Sequence, residues 1–149
     1  MKFILFALAL VCFGGCASGP RFEQMISIPS DKAVVYVYRP KQVIGWGGLF
    51  PVNSPWTVCP NGEKCVDLWQ GGYCVFVLNP GTNVFTSSLV SPSALLDIIH
   101  NHEELCRTNL EAAKPYYLKF SVGAMRAKLK PVEPATAAAE LAHFKLETP

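Results

Sequence analysis

Charged residues are scarce in this chain and nearly balanced in sign. Of its 149 residues, 13 are Lys or Arg and 11 are Asp or Glu, which gives a formal net charge of +2. Proteins that bind nucleic acid gather basic side chains into a patch or a stripe, and the sequence contains no cluster of Lys and Arg. The charge pattern therefore predicts no nucleic-acid partner.

Several catalytic signatures are also missing. The chain has no Gly-x-Ser-x-Gly elbow for a serine nucleophile and no Cys-x-x-Cys pair for redox or zinc chemistry. It has no glycine-rich phosphate loop between a strand and a helix, and no spacing of acidic residues that argues for the paired carboxylates of a glycosidase. We therefore expect the protein not to be an enzyme and to use no cofactor.

The longest apolar run is too short to cross a membrane. Residues 3–13 follow a single cation, Lys2. An apolar core of roughly 7–15 residues is typical of a signal peptide, whereas a spanning helix needs about 20. Gly14 and Gly15 directly precede Cys16, and this lipobox-like pattern resembles the site where a diacylglycerol is attached to a cysteine thiol before cleavage. The sequence thus predicts a lipoprotein signal peptide that ends before Cys16.

Two other interpretations of this N-terminal segment stay open. Ordinary signal peptidase could cut after Gly19, although Pro20 would then follow the cut unfavourably, or after Ala17, where no such objection arises. A retained membrane anchor is disfavoured by length. We expect residues 1–15 to be the signal peptide, 16–31 the lipidated cysteine with its tether, and 32–149 the folded domain. Because Ala17 rather than Asp follows the cysteine, the expected location is the cell envelope, anchored by lipid in the outer membrane and facing the periplasm.

Four cysteines would remain in the mature domain, and an exported domain favours disulfides. Cys59 and Cys65 flank Asn61-Gly62, the strongest short signal for a hairpin. Their Cα atoms could therefore approach within the ~4.4–6.8 Å that a disulfide requires. Cys74 and Cys106 would then form the second bridge. Four cysteines allow three connectivities, and the sequence alone leaves them open.

Short runs of β-branched and aromatic residues, each closed by Gly, Pro or Asn, predict strands. They lie at residues 33–38, 56–59, 64–69, 73–78, 82–86, 104–110, 116–122 and 126–132, and the four runs between 56 and 86 predict a β-meander. Residues 94–100 predict one short helix, and residues 134–141, with Pro at the first position, predict another. The predicted fold class is an all-β antiparallel sandwich with one or two short helices.

The order of several short blocks resembles a known family. The blocks are Lys32-Ala-Val-Val-Tyr-Val-Tyr-Arg-Pro40, Asn61-Gly62, Gly72-Tyr73 leading to Pro80-Gly81, Lys114-Pro-Tyr-Tyr-Leu118 and Ala138-Ala-Glu-Leu141. From about residue 32 to 146 the chain is similar to a family of small bacterial lipoproteins known only as a domain of unknown function. The resemblance implies an immunoglobulin-like or transthyretin-like sandwich on the outer side of a membrane, and it implies no activity. The longer segment 88–103 and the four mature cysteines depart from the family pattern.

His100, His102 and Glu104 form the one cluster of metal-capable side chains in the sequence. On a strand they would share one face, and three ligands with a water molecule would suit a catalytic zinc. The alternative function is therefore a small metal-dependent hydrolase that uses these residues. The competing interpretation is a solvated polar turn at the end of a helix, which carries no metal.

A second candidate is the glycine-rich segment that contains Trp46, Leu49 and Phe50. If these side chains are exposed, they form an apolar patch of the kind that contacts a partner or a membrane. If they fold back, they close one end of the sandwich. Taken together, the sequence predicts a non-catalytic envelope lipoprotein, a binding or structural module held on the membrane by its lipid. Its partner would be an envelope protein or another envelope component.

Overall fold

The structure is a computed structural model that describes residues 19–24, 27–41, 55–89, 103–122 and 126–147. Within these ranges the chain forms nine strands and one helix. The elements are β1 Ala33–Arg39, β2 Trp56–Pro60, β3 Val66–Leu68, β4 Gly72–Leu78, β5 Gly81–Leu89, β6 Glu103–Leu110, β7 Pro115–Val122, β8 Ala127–Pro131, α1 Pro134–Leu141 and β9 Lys145–Leu146.

The strands form two sheets that pack as a sandwich. Sheet A has the order β8-β7-β1-β4-β9, and sheet B has the order β3-β2-β5-β6. Sheet B is antiparallel, whereas sheet A is mixed because β1 runs parallel to β7 and β4 runs parallel to β9. The predicted all-β sandwich is confirmed, and so is the helix at residues 134–141 with proline at its start. The helix predicted at 94–100 lies outside the described residues.

The predicted β-meander over residues 56–86 is wrong. β2 and β3 do form a hairpin, but β4 pairs with β1 in the other sheet, and β5 pairs with β2. The chain changes sheet at the short turn before β4, where Gly71 has a φ of 75° and its N–H donates to the Arg39 carbonyl. Local patterns indicate where strands and turns lie, but a tight turn can join neighbours in one sheet or pass between two.

The main core lies between the sheets. Its largest fully buried members are Val35 and Val37 of β1, Val58 of β2, Leu68 of β3, Phe85 of β5, Leu110 of β6 and Phe120 of β7. Trp56 and Phe120 bring their rings to 5.4 Å between centroids. Because strand side chains alternate between faces, this cluster uses only every second residue of β1.

The other face of β1 is buried as well, so all seven of its residues are inaccessible to water. Tyr36 stacks on Tyr117 at 5.1 Å, and Phe22 packs edge-on against Tyr36 and Tyr73. Tyr38 contacts Phe144, and Leu141 of α1 is fully buried in the same cluster. Sheet A is therefore covered on its outer face by a third layer made of residues 19–24, Ile28, α1 and residues 142–147.

Within residues 16–31, for which the sequence predicts the lipidated cysteine and its tether, residues 19–24 pack onto the domain. Arg21 forms an antiparallel bridge with Lys145. The Phe22 N–H donates to the Phe144 carbonyl at 3.1 Å, and the Leu146 N–H donates to the Pro20 carbonyl at 2.8 Å. A strand of two residues, Lys145–Leu146, has no sequence pattern of its own, so this pairing was not predicted.

Replacing Leu141 with alanine should lower the free energy of unfolding by about 2–5 kcal/mol, since it removes a fully buried side chain and leaves a cavity under α1. Val77→Ala on β4 is the control, because Val77 is 41% exposed and should lose less than about 1 kcal/mol. Urea denaturation of both variants measures the difference. Equal losses would contradict the packing of α1 against sheet A.

Candidate functional site

The hairpin between β2 and β3 carries the predicted disulfide. Asn61 and Gly62 both have positive φ, 52° and 74°, and the Glu63 N–H donates to the Pro60 carbonyl at 2.9 Å. This geometry places Cys59 opposite Cys65 with 4.2 Å between their Cα atoms, and the two are bonded. The prediction of a Cys59–Cys65 bridge across an Asn-Gly turn is confirmed.

The predicted Cys74–Cys106 bridge is absent, and both residues are thiols. Cys74 lies on β4 and Cys106 on β6, and β6 packs against β8 at the opposite side of the sandwich. In sheet A, β4 stands three positions from β8, which is roughly 14 Å at the usual strand spacing. A disulfide needs Cα atoms within about 7 Å, so the topology keeps these cysteines apart.

Neither thiol is tuned to react. Burial raises the pKa of Cys74, and the carboxylate of Glu147 adds to the rise. Burial, with a smaller contribution from Glu104, raises the pKa of Cys106 to about 11. Because the thiolate is the nucleophile and the metal ligand, these two cysteines behave as core residues.

The residues predicted for a metal site and a contact surface are only partly within the described structure. His100 and His102 lie outside the described residues, as do Trp46, Leu49, Phe50 and the lipidation candidate Cys16. Glu104 is described. Its exposed carboxylate accepts a hydrogen bond from Arg107 at 2.9 Å. In the described part of the chain, no group of three metal-capable side chains comes together.

The strand ends that border the two predicted segments lie at one end of the sandwich. β1 ends at Arg39 beside the start of β4, and Trp56 at the start of β2 pairs with Leu89 at the end of β5. Glu103 begins β6 next to the same part of β5. Topology therefore brings the flanks of both segments together, although they are distant in sequence.

A groove opens at this end, on the edge of sheet A. It encloses about 410 Å³ and is lined by Pro40, Lys41, Gln70, Gly71, His143, Phe144 and Lys145. Most of its lining is apolar, and its lining residues include two lysines, a histidine and a glutamine. A cavity of this size with an apolar floor and a few cationic groups can contact apolar carbon and attract an anion.

Three exposed cations gather around Gly71. The side chain of Lys41 crosses over this glycine, so a Cβ there would lie 3.2 Å from the lysine Cε. The backbone N–H of Lys145 donates to the Gly71 carbonyl at 3.2 Å. The backbone of Arg21 pairs with that of Lys145 in an antiparallel β-bridge. We call Arg21, Lys41 and Lys145 the basic cluster. No sequence pattern indicates this cluster, because its members come from three remote segments.

A buried cation, Arg39, holds the two sheets together beside the groove. Its side chain is 3% exposed, and Nη1 donates to the Leu68 carbonyl of β3 at 3.2 Å. The guanidinium carbon lies 5.8 Å from the centroid of the Phe120 ring, which adds a cation–π contact. Burial lowers the pKa of Arg39 to about 10, so it remains charged at neutral pH.

On the outer face of sheet A, Glu140 joins α1 to two strands. Its carboxylate accepts hydrogen bonds from the Tyr38 hydroxyl at 2.6 Å and from the Lys119 ammonium at 2.7 Å. These two bonds, that of Lys119 first, hold the pKa of Glu140 below its ordinary value. Burial raises the pKa of Tyr38, and the bond to Glu140 raises it further. The contacts secure α1 and give Tyr38 a partner for its buried hydroxyl.

No protein-family model, curated protein or solved structure matches this chain. Membership in the lipoprotein family of unknown function therefore stays a prediction from the resemblance. In the ranges that the structure describes, no helix is both long and apolar enough to cross a membrane.

Alkylation counts will test the cysteine assignment. In the native, unreduced mature protein Cys74 should resist a thiol reagent, because it is fully buried. Denaturation without reduction should expose two thiols, Cys74 and Cys106, and reduction should add Cys59 and Cys65. Peptide mass spectrometry measures each site. If Cys74 and Cys106 in the denatured protein are labelled only after reduction, the two form a disulfide and their assignment as free thiols is wrong.

Glu140→Gln should weaken the dependence of stability on acid pH. A carboxylate whose pKa is lowered by folding stabilises the fold above its unfolded pKa, near 4.5, and loses that contribution as the pH falls toward the folded pKa. Thermal unfolding between about pH 3 and pH 6 measures the effect. Glu63→Gln, on the exposed hairpin, is the control and should keep the wild-type slope. An unchanged slope in Glu140→Gln would contradict the role of this carboxylate.

Proposed function

We propose that this protein is a lipid-anchored lipoprotein of the bacterial cell envelope, and that its domain is a non-catalytic binding or structural module. The observation that carries the proposal is the contact between Gly19 and the last strand of the domain. Gly19 packs against Leu146, where a Cβ would collide with the carbonyl oxygen. The lipobox-like cysteine lies three residues before this contact in the sequence, so a lipid on it would hold the domain close to the membrane.

The Cys59–Cys65 disulfide supports a location outside the cytosol. Cys65 is exposed and Cys59 is half-buried, so the bridge closes a surface hairpin that a reducing cytosol would not maintain. An exported protein folds where such a bridge forms and persists. Export agrees with a signal peptide of the length seen at residues 1–15.

The groove on the edge of sheet A supports a binding role. It encloses about 410 Å³, and its lining is mostly apolar and includes the exposed cations Lys41 and Lys145. A cavity of this size and lining can hold a small ligand.

Intact mass spectrometry of the protein extracted from membranes tests the anchor. We expect a mass that begins at Cys16 and carries two or three acyl chains, because stable anchoring needs more than one chain. Cys16→Ser should abolish the acyl mass and leave an uncleaved or soluble chain. Cys12→Ser, inside the signal peptide, is the matched control and should be processed normally.

Two results would contradict the proposal. One is a mature mass that begins at Ser18 without lipid, which would make the protein a soluble secreted one. The other is normal processing and membrane association of Cys16→Ser. Flotation of each sample in a density gradient with membranes measures the association independently of the mass.

A further inference from the structure

We propose that the groove and the basic cluster around Gly71 form the face that the domain lays against the membrane, where they bind the anionic phosphate groups of lipid headgroups. This inference rests on the lipid anchor proposed at Cys16. It specifies which face of the domain lies against the membrane and which chemical group that face binds. Neither follows from the anchor alone.

The chain between Cys16 and Gly19 is short. Only Ala17 and Ser18 separate them, so three residue steps of at most about 3.3–3.6 Å each join the two. The acylated cysteine therefore lies within about 11 Å of Gly19. Because Gly19 and Pro20 are held against Leu146, so short a link cannot let the domain turn freely. A lipid on Cys16 would therefore bring the edge of sheet A that carries β9 close to the bilayer.

The edge that carries β9 bears exposed cations. Arg21, Lys41 and Lys145 are all exposed. The Lys41 side chain lies over Gly71, and the backbone of Lys145 is hydrogen-bonded to Gly71 and paired with Arg21. A basic cluster that lies within a Debye length of anionic lipid is attracted to it. The cations therefore face the surface to which the anchor would bring them.

Acidic side chains do not cancel this charge at the groove. Glu147 follows β9 directly, but its Oε1 is buried and its carboxylate packs beneath Gly72. Glu23 is exposed on the same N-terminal segment and is the one acidic side chain that this segment presents beside Arg21. Burial raises the pKa of Glu147, and Asp67 lies close enough to raise it further, so the edge carries carboxylates as well as cations. The residues that line the groove include Lys41 and Lys145 and no Asp or Glu, so the charge at the groove itself is positive.

The groove beside Lys41 and Lys145 offers both apolar and cationic lining. Pro40 and Phe144 give it an apolar floor, while Lys41, His143 and Lys145 supply donors. A lipid headgroup combines a phosphate with adjoining carbon atoms, so it can use both kinds of lining. The cavity of about 410 Å³ lies within the 300–1,000 Å³ range of small-ligand sites.

Amine footprinting of the full mature lipoprotein tests the proposal. The acylated protein is placed on vesicles of phosphatidylglycerol and phosphatidylethanolamine, or on vesicles of phosphatidylcholine alone, and treated with a neutral acetylating reagent. We expect Lys41 and Lys145 to be modified about fivefold more slowly on the anionic vesicles, which corresponds to the attraction of one basic residue to an anionic surface. Lys64 and Lys114, at the opposite end of the sandwich, should react equally on both.

Two variants distinguish binding by the basic cluster from a general effect of the vesicle on lysine reactivity. Lys41→Gln should reduce the protection of Lys145, because the cluster loses a cation. Lys64→Gln is the matched variant and should leave the protection of Lys145 intact. Both substitutions are at exposed positions and remove the same charge.

The outcomes separate this inference from the proposed function. An acylated protein that floats with both vesicles but shows equal rates at Lys41 and Lys145 overturns the orientation and the headgroup site, and it leaves the lipoprotein proposal standing. A mature chain without acyl mass overturns both. Slower modification of Lys41 and Lys145, confined to anionic vesicles and weakened by Lys41→Gln, supports the inference.

Discussion

The burial of β1 on both faces is the constraint on which the rest of the structure depends. All seven of its residues are buried, and it is paired on one side with β4 and on the other with β7. A strand with apolar side chains on both faces needs two covering layers. Sheet B supplies one layer. The other requires the N-terminal segment, α1 and the C-terminal segment to meet over Tyr36 and Tyr38.

That outer layer also creates the candidate binding surface. Phe22 and Phe144 reach the tyrosines of sheet A, and their neighbours Arg21 and Lys145 are carried to the sheet edge by the same pairing. The groove is thus a consequence of covering a hydrophobic face, since its floor includes a residue of that cover. Packing and recognition share the same few residues, so a change in one affects the other.

Much of the fold could be predicted from local sequence, because alternation and turn chemistry act over a few residues. The hairpin at Asn61-Gly62 and its disulfide are examples, and so are the strand positions. Predictions failed where the outcome depends on which elements meet in space. The turn at Gly71 changes sheets, Cys74 and Cys106 lie at opposite sides of the sandwich, and residues 19–24 pair with a strand of two residues. The basic cluster could not be predicted for the same reason.

The pairing of Arg21 with Lys145 has a consequence for the order of events during synthesis. The N-terminal segment has its hydrogen-bonding partners in residues 144–146, which are made after all eight of the other described strands. Until they emerge, residues 19–24 have no strand to join, and the outer face of sheet A lacks its full cover. The first described segment of the chain therefore waits for the last strand, and the outer layer closes only after both sheets have been synthesised.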